Sequence, residues 1–259
     1  MFRLRTMVAC LIAMASPAIS HEFWIQPKAY TLEPGSPLEA DIRIGANFVG
    51  PDYIFIPNGY DLAVFASASE VQTLEFTGRD KPSFTLLPIG TGLHTIALIS
   101  NGNMLTHTDV AAFRKFAEEV GRLDETATAR ADGPIKEAYF RFAKTLVNVG
   151  DAAGADRAFG AIYEWVALDD PYGISPGPIR FQLFYNQEPA PDQPVQMFNR
   201  DVGSPSEAPP VHLTTDADGV LTLPKDTVGE IMLNSVKLLP ADRADLDWVS
   251  YWASVTFAR

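Results

Sequence analysis

Cysteine is nearly absent from this chain. The single Cys10 falls within the first 20 residues, which read as a leader. A chain cut after them has no thiol. That excludes disulfides, thiolate metal sites and a cysteine nucleophile, so packing alone must hold the fold. Basic charge is also scarce. There are 20 Lys and Arg against 32 Asp and Glu, a net charge of −12. Nucleic acid needs cations to neutralise phosphates, so it is excluded as a partner. Acidic charge keeps a protein soluble and is compatible with a cationic ligand. After the first 20 residues no segment is long and apolar enough to span a bilayer. HExxH, the P-loop and a GxGxxG opening a helix are all missing, and with them the zinc-protease and nucleotide-binding signatures.

What is present begins with MFRLRTMVACLIAMASPAIS. Arg3 and Arg5 form a positive start, Met7 to Ala15 an apolar stretch, and Ala18-Ile19-Ser20 a small-residue cleavage site. This pattern is expected of a secretory signal peptide, residues 1–20. It implies a periplasmic destination, and losing both arginines takes the net charge to −14. His21 then becomes the first residue of the mature chain.

The remainder is expected to be mainly β, with two Ig-like β-sandwich regions joined by a short helical segment. Their expected bounds are 21–107 and 160–259, with 108–159 between. In PLEADIRIGANF, Leu38, Ala40, Ile42 and Ile44 alternate with Glu39, Asp41 and Arg43, the period of a half-buried strand. SFTLLPIGTGLHTIALIS supplies two more strands across a Gly-Thr-Gly turn. In 108–150 the period changes. Val110, Phe113, Phe116, Ala117 and Val120 share a helical face that Gly121 ends. A second helix is expected from Pro134 to Gly150, striped by Ile135, Tyr139, Phe142, Leu146 and Val149. TDADG has Thr227, not Glu, at the twelfth position of a would-be calcium loop. Asp218-Gly219 therefore reads as a hairpin or bulged turn.

His21 is the main candidate functional residue. A terminal His offers an α-amine and an imidazole Nδ1, which close one chelate ring. With a second His they form a histidine brace, a donor set suited to Cu, Ni or Co. His94, in the strand GLHTIAL, is the candidate third nitrogen. Otherwise it is an inward residue satisfied by a backbone carbonyl. His107 and Glu22 are weaker candidates, with Glu22 as a carboxylate behind the metal ligands. His212 reads as a loop-to-strand residue. Phe23, Trp24, Trp248, Tyr251 and Trp252 could line a sugar-binding face, although such residues more often fill a sandwich core.

HEFWIQP, GLHTIAL, FRKFAEEVG, YFRFAKTLVNVGD, DDPYGISPG, TDADGVLTLP and DWVSYWASVTF occur in that order. As an ordered set they resemble the DUF4198 family, related to NikM-like periplasmic parts of nickel and cobalt uptake systems. The resemblance implies a periplasmic, β-rich protein with an Ig-like C-terminal part, tied to transition-metal transport; metal binding or delivery without catalysis is the leading expectation. Its partners would be the metal ion and a membrane transporter or outer-membrane receptor. His21 and His94 match the family's histidines. Val236-Lys237-Leu238 stands where many relatives read VHM, and a protonated Lys237 is no ligand. The alternatives are a copper histidine-brace oxidative enzyme and a metal-free Ig-like interaction module.

Overall fold

The computed structural model describes residues 21–75, 81–122, 133–151, 153–173 and 177–259. The expected leader lies outside the described residues. The first strands are β1 (Glu22–Pro27), β2 (Thr31–Leu32), β3 (Leu38–Gly45), β4 (Asp52–Tyr53), β5 (Tyr60–Ala66) and β6 (Val71–Thr73). Next come β7 (Phe84–Leu86), β8 (Gly92–Ser100), β9 (Asn103–His107), helix α1 (Val110–Glu119), β10 (Ile135–Val149) and β11 (Tyr163–Ala167). Then follow β12 (Arg180–Tyr185), β13 (Glu188–Pro189), β14 (Pro194–Arg200) and β15 (Val211–Thr214). The last are β16 (Val220–Thr222), β17 (Glu230–Pro240) and β18 (Trp248–Ala258). The protein is thus mainly β, as expected.

Among the described residues the strands form three sheets, and one of them is the middle layer. It runs β15-β14-β17-β18-β10-β8-β5-β6, with β2 and β9 also paired to β10. A sheet of β1, β3, β4 and β7 covers one face; a sheet of β11, β12, β13 and β16 covers the other. Alternation along β10 shows both contacts. Ala143 and Val147 join the core with Phe23, Ile25 and Ile42. Phe142 and Leu146 join the opposite core with Trp165, Phe181 and Phe257. The two sandwich regions therefore share a sheet, to which all three expected chain segments contribute strands. Fully burying each large apolar side chain contributes roughly 1.5–3 kcal/mol, so this shared layer binds the halves into one packed unit.

The expected helix over 134–150 is not formed. Those residues are β10, parallel to β18 in the register Glu137↔Trp248 to Thr145↔Thr256. From Phe142 to Val149 the strand is a run buried on both faces, Lys144 and Asn148 included, so the alternation of a half-buried strand is lost there. That run also contains matches to the helical spacing, which is why the stripe misled. The first expected helix is present. Asp109 caps it by accepting from the Ala112 N–H at 3.0 Å. Phe113, Phe116 and Ala117 pack on Val236, Leu238, Trp248 and Trp252.

β3 follows its alternation, with Leu38, Ala40 and Ile42 turned into the core. The turn at Asp218-Gly219 is also present. Asp216 Oδ1 accepts from the N–H groups of Asp218 and Val220, and Gly219 has φ +71°. It is not a hairpin, however: β15 pairs with β14 and β16 with β12. The chain changes sheets there.

Candidate functional site

β1 is buried throughout except for the half-buried Gln26. Its carbonyls face polar side chains of β18. Ser254 Oγ donates to the Phe23 carbonyl and Thr256 Oγ1 to the Ile25 carbonyl, each at 2.6 Å. At its far end Gln26 joins a buried polar cluster. Arg200 Nε donates to Glu230 Oε2 at 2.9 Å, and Arg200 also bonds Gln26 Oε1 and the Phe48 carbonyl. Tyr30 Oη and Gln26 Nε2 donate to Glu230 Oε1. β1 is thus a fixed platform, and His21 stands exposed at its head.

Around His21 the surroundings are unusual. Glu22 pairs with Gly45 and is buried. Burial pushes its carboxyl up to about 8, against the pull of the Phe48 and Asn47 backbone and the Arg141 charge. Its Oε2 has no hydrogen-bond partner among the described residues. Beside it, Ala46 and Val49 bracket a tight turn whose central residues, Asn47 and Phe48, have φ of +53° and +64°. Positive φ at a phenylalanine is uncommon. Phe48 holds it because its ring is fully buried against Trp24 and Phe198. A Cβ on Gly45 would sit 2.0 Å from the Val49 carbonyl oxygen, so the turn closes only over glycine.

Arg141, on β10, reaches across to the His21 carbonyl, with NH2 to O at 3.3 Å. Its guanidinium carbon lies 4.9 Å from the Tyr139 ring centre and 6.0 Å from that of Phe23. Burial pulls this guanidinium below its ordinary pKa, opposed by the fields of Tyr139, Glu137, Tyr53 and Tyr60. Tyr60 itself is pushed up to about 12 by burial.

The expected second ligand is elsewhere. His94 lies opposite Val147 on β10, six residues from Arg141, or about 20 Å along the strand. Its Nδ1 is 3.0 Å from the Gly92 carbonyl and its Nε2 3.2 Å from that of Ile89, and its ring stacks on Phe65. Both nitrogens face backbone carbonyls, and a neutral imidazole donates to one of them, so His94 is the inward, carbonyl-bonded residue and not a partner of His21. His107 is also committed: its Nε2 is 2.5 Å from Glu137 Oε2, and Ser250 Oγ donates to Glu137 Oε1. His212 is exposed on β15 at the border of the central sheet.

Lys237 neighbours Val236, which packs under α1, and so projects from the other face of β17. Its Nζ lies 4.7 Å from the Tyr185 ring centre and 3.2 Å from Gln193 Oε1. Burial and the Arg122 charge pull its ammonium below the ordinary pKa. That position is on the wrong side of the sheet to complete a site with His21. Phe23, Trp24, Trp248 and Trp252 are buried, so they fill the core and offer no sugar-binding face. Among the described residues no group of three or more His, Cys, Asp or Glu is placed to hold a metal ion.

The comparison with family models matches a domain of unknown function, DUF4198, over residues 18–236. The chain belongs to the DUF4198 family. No curated protein matches it. Among solved structures, the D0-D1 domain of intimin aligns at 13% identity over 91% of this chain and 97% of that one, with a TM-score of 0.21. So low a score carries no argument about this DUF4198 protein.

Proposed function

We propose that this DUF4198 protein is a periplasmic transition-metal-binding protein associated with metal uptake, and that it captures the ion through His21. The observation supporting the reading is the contrast between His21 and the two histidines weighed as its partners. His94 and His107 are engaged by carbonyl and carboxylate groups, whereas His21 is exposed on a pinned strand. Cleavage after Ser20 would add an α-amine to its imidazole. The pair suits Cu(II), Ni(II) or Co(II). With His94 committed, the donor set is this chelate alone, and the remaining positions go to water or exogenous ligands. So open a site suits capture followed by release to a membrane transporter or outer-membrane receptor.

The test is the intact mass of the exported protein, followed by titration of the same sample with Cu(II), Ni(II) and Co(II). A mass beginning at His21 and one-to-one binding is the expected result. A form with an extra Met before His21 should bind far more weakly. Equal binding by the two forms would overturn the reading.

A further inference from the structure

Four cations of the central sheet lie buried or half-buried, and their treatment differs. Lys237 has the Gln193 amide oxygen and the Tyr185 ring. Arg200 has Glu230. Lys144 has Asp156 at 3.0 Å, with the carbonyls of Arg157 and Trp165. Arg141 has no ion-pair partner among the described residues. A guanidinium offers five N–H donors; Arg141 uses one, at 3.3 Å, on the His21 carbonyl. Its Nε is buried without any partner. Taking a cation out of water without an opposing charge is unfavourable, and Arg200 and Lys144 both avoid it.

The acids within reach do not fill the gap. Phe23 faces the guanidinium, so Glu22, next along β1, points the other way, to the backbone of Asn47 and Phe48. Glu137 is taken by His107 and Ser250. What does surround Arg141 is aromatic. Tyr139 and Phe23 lie against it, and the phenols of Tyr53 and Tyr60 stand within electrostatic reach. Among the described residues the hydroxyls of Tyr53, Tyr60 and Tyr139 make no hydrogen bond to protein. Three phenols without a protein hydrogen bond among the described residues therefore lie within electrostatic reach of a cation that has no ion pair, in a protein whose net charge is −12.

We infer that Arg141, with Tyr139, Tyr60 and Tyr53, forms a binding site for a small carboxylate anion. The shape favours a carboxylate over a tetrahedral oxyanion. Aromatic rings lie against the guanidinium carbon, and Nη1 makes no hydrogen bond among the described residues. A planar fork offered edge-on matches a planar carboxylate through two parallel bonds. The phenol O–H groups can donate to the same oxygens. The inference depends on neither the metal nor the cleavage site, because it uses side chains of β10, β5 and β4 only.

The test uses the exported full chain, freed of metal on a chelating resin. It is titrated by calorimetry with sodium acetate and sodium malonate, against sodium chloride at matched ionic strength. Saturable binding of the carboxylates and none of chloride is expected. Arg141→Lys keeps the charge but loses the fork, and should weaken binding by about tenfold or more, the usual scale for a bond to a charged group. Tyr139→Phe keeps the ring and fold and should weaken it by about threefold, through loss of one donor. Equal heats from acetate and chloride would overturn the inference. So would unchanged affinity in Tyr139→Phe together with a folded Arg141→Lys.

Discussion

Glu230 offers a decisive perturbation, because β1 is fastened to the central sheet through it. Its side chain is fully buried and that of Arg200 is 10% exposed. Glu230 Oε1 accepts from Tyr30 and Gln26, and Oε2 from Arg200. Arg200 in turn holds Gln26 and the Phe48 carbonyl. One cluster therefore joins β1, β14, β17 and the turn beside Glu22. Replacing Glu230 by Gln keeps the shape but leaves the Arg200 charge buried and uncompensated. Breaking a buried pair in this way costs about 3–5 kcal/mol. With m near 3 kcal/mol/M in urea, the midpoint should fall by about 1 M or somewhat more. The double change Glu230→Leu with Arg200→Met removes both charges and should recover much of the loss. The assay is urea unfolding followed by tryptophan fluorescence, which reports through Trp24, fully buried beside Phe48. A loss below about 1 kcal/mol in Glu230→Gln, or a double variant whose loss equals the sum of the singles, would show no coupling. That would refute the argument that this pair is the fastening.

Other outcomes follow from the same geometry. His94→Ala should leave Cu(II) affinity unchanged while lowering stability by about 1–3 kcal/mol, since a buried ring and its hydrogen bond to a backbone carbonyl are lost; a titration and a urea curve on one sample separate the two effects. Lys144→Met should destabilise by about 3–5 kcal/mol, because Asp156 would be left buried and unpaired; calorimetric unfolding measures it. Gly219→Ala should destabilise markedly, for its Cβ would lie 2.7 Å from the Ala190 nitrogen at φ +71°, and a wild-type melting temperature would contradict this. The Arg180 guanidinium holds the Asp169 carboxyl below its ordinary pKa. The pair's small contribution to stability is present above about pH 4 and fades as pH falls. In Arg180→Gln the Asp169 carboxyl should titrate at higher pH by NMR.

Much of the fold could be read from the chain because its signals are local. The alternation of Leu38, Ala40 and Ile42 needs only one covered face, and Asp218-Gly219 needs only its own backbone. The central strand could not be read so. Phe142 to Val149 is buried on both sides by sheets drawn from distant parts of the chain, and that erases the polar alternation marking a strand. The same erasure hid Arg141. On a helix, Tyr139 and Arg141 point apart; on a strand they share a face. The two-residue period of a strand by itself sets the guanidinium beside the tyrosine.

The sequence by itself determined the class of the fold, the first helix and the scarcity of cysteine, one residue in the whole chain. Each follows from composition or from neighbours a few residues apart. Only the tertiary structure decided that the two sandwich regions share one sheet, that His94 is spent on backbone carbonyls, and that Lys237 projects from the far face. It alone brought Arg141 to the head of β1. These are matters of which strand lies beside which, and long-range pairing is set by the burial of both faces together rather than by any one segment's preference.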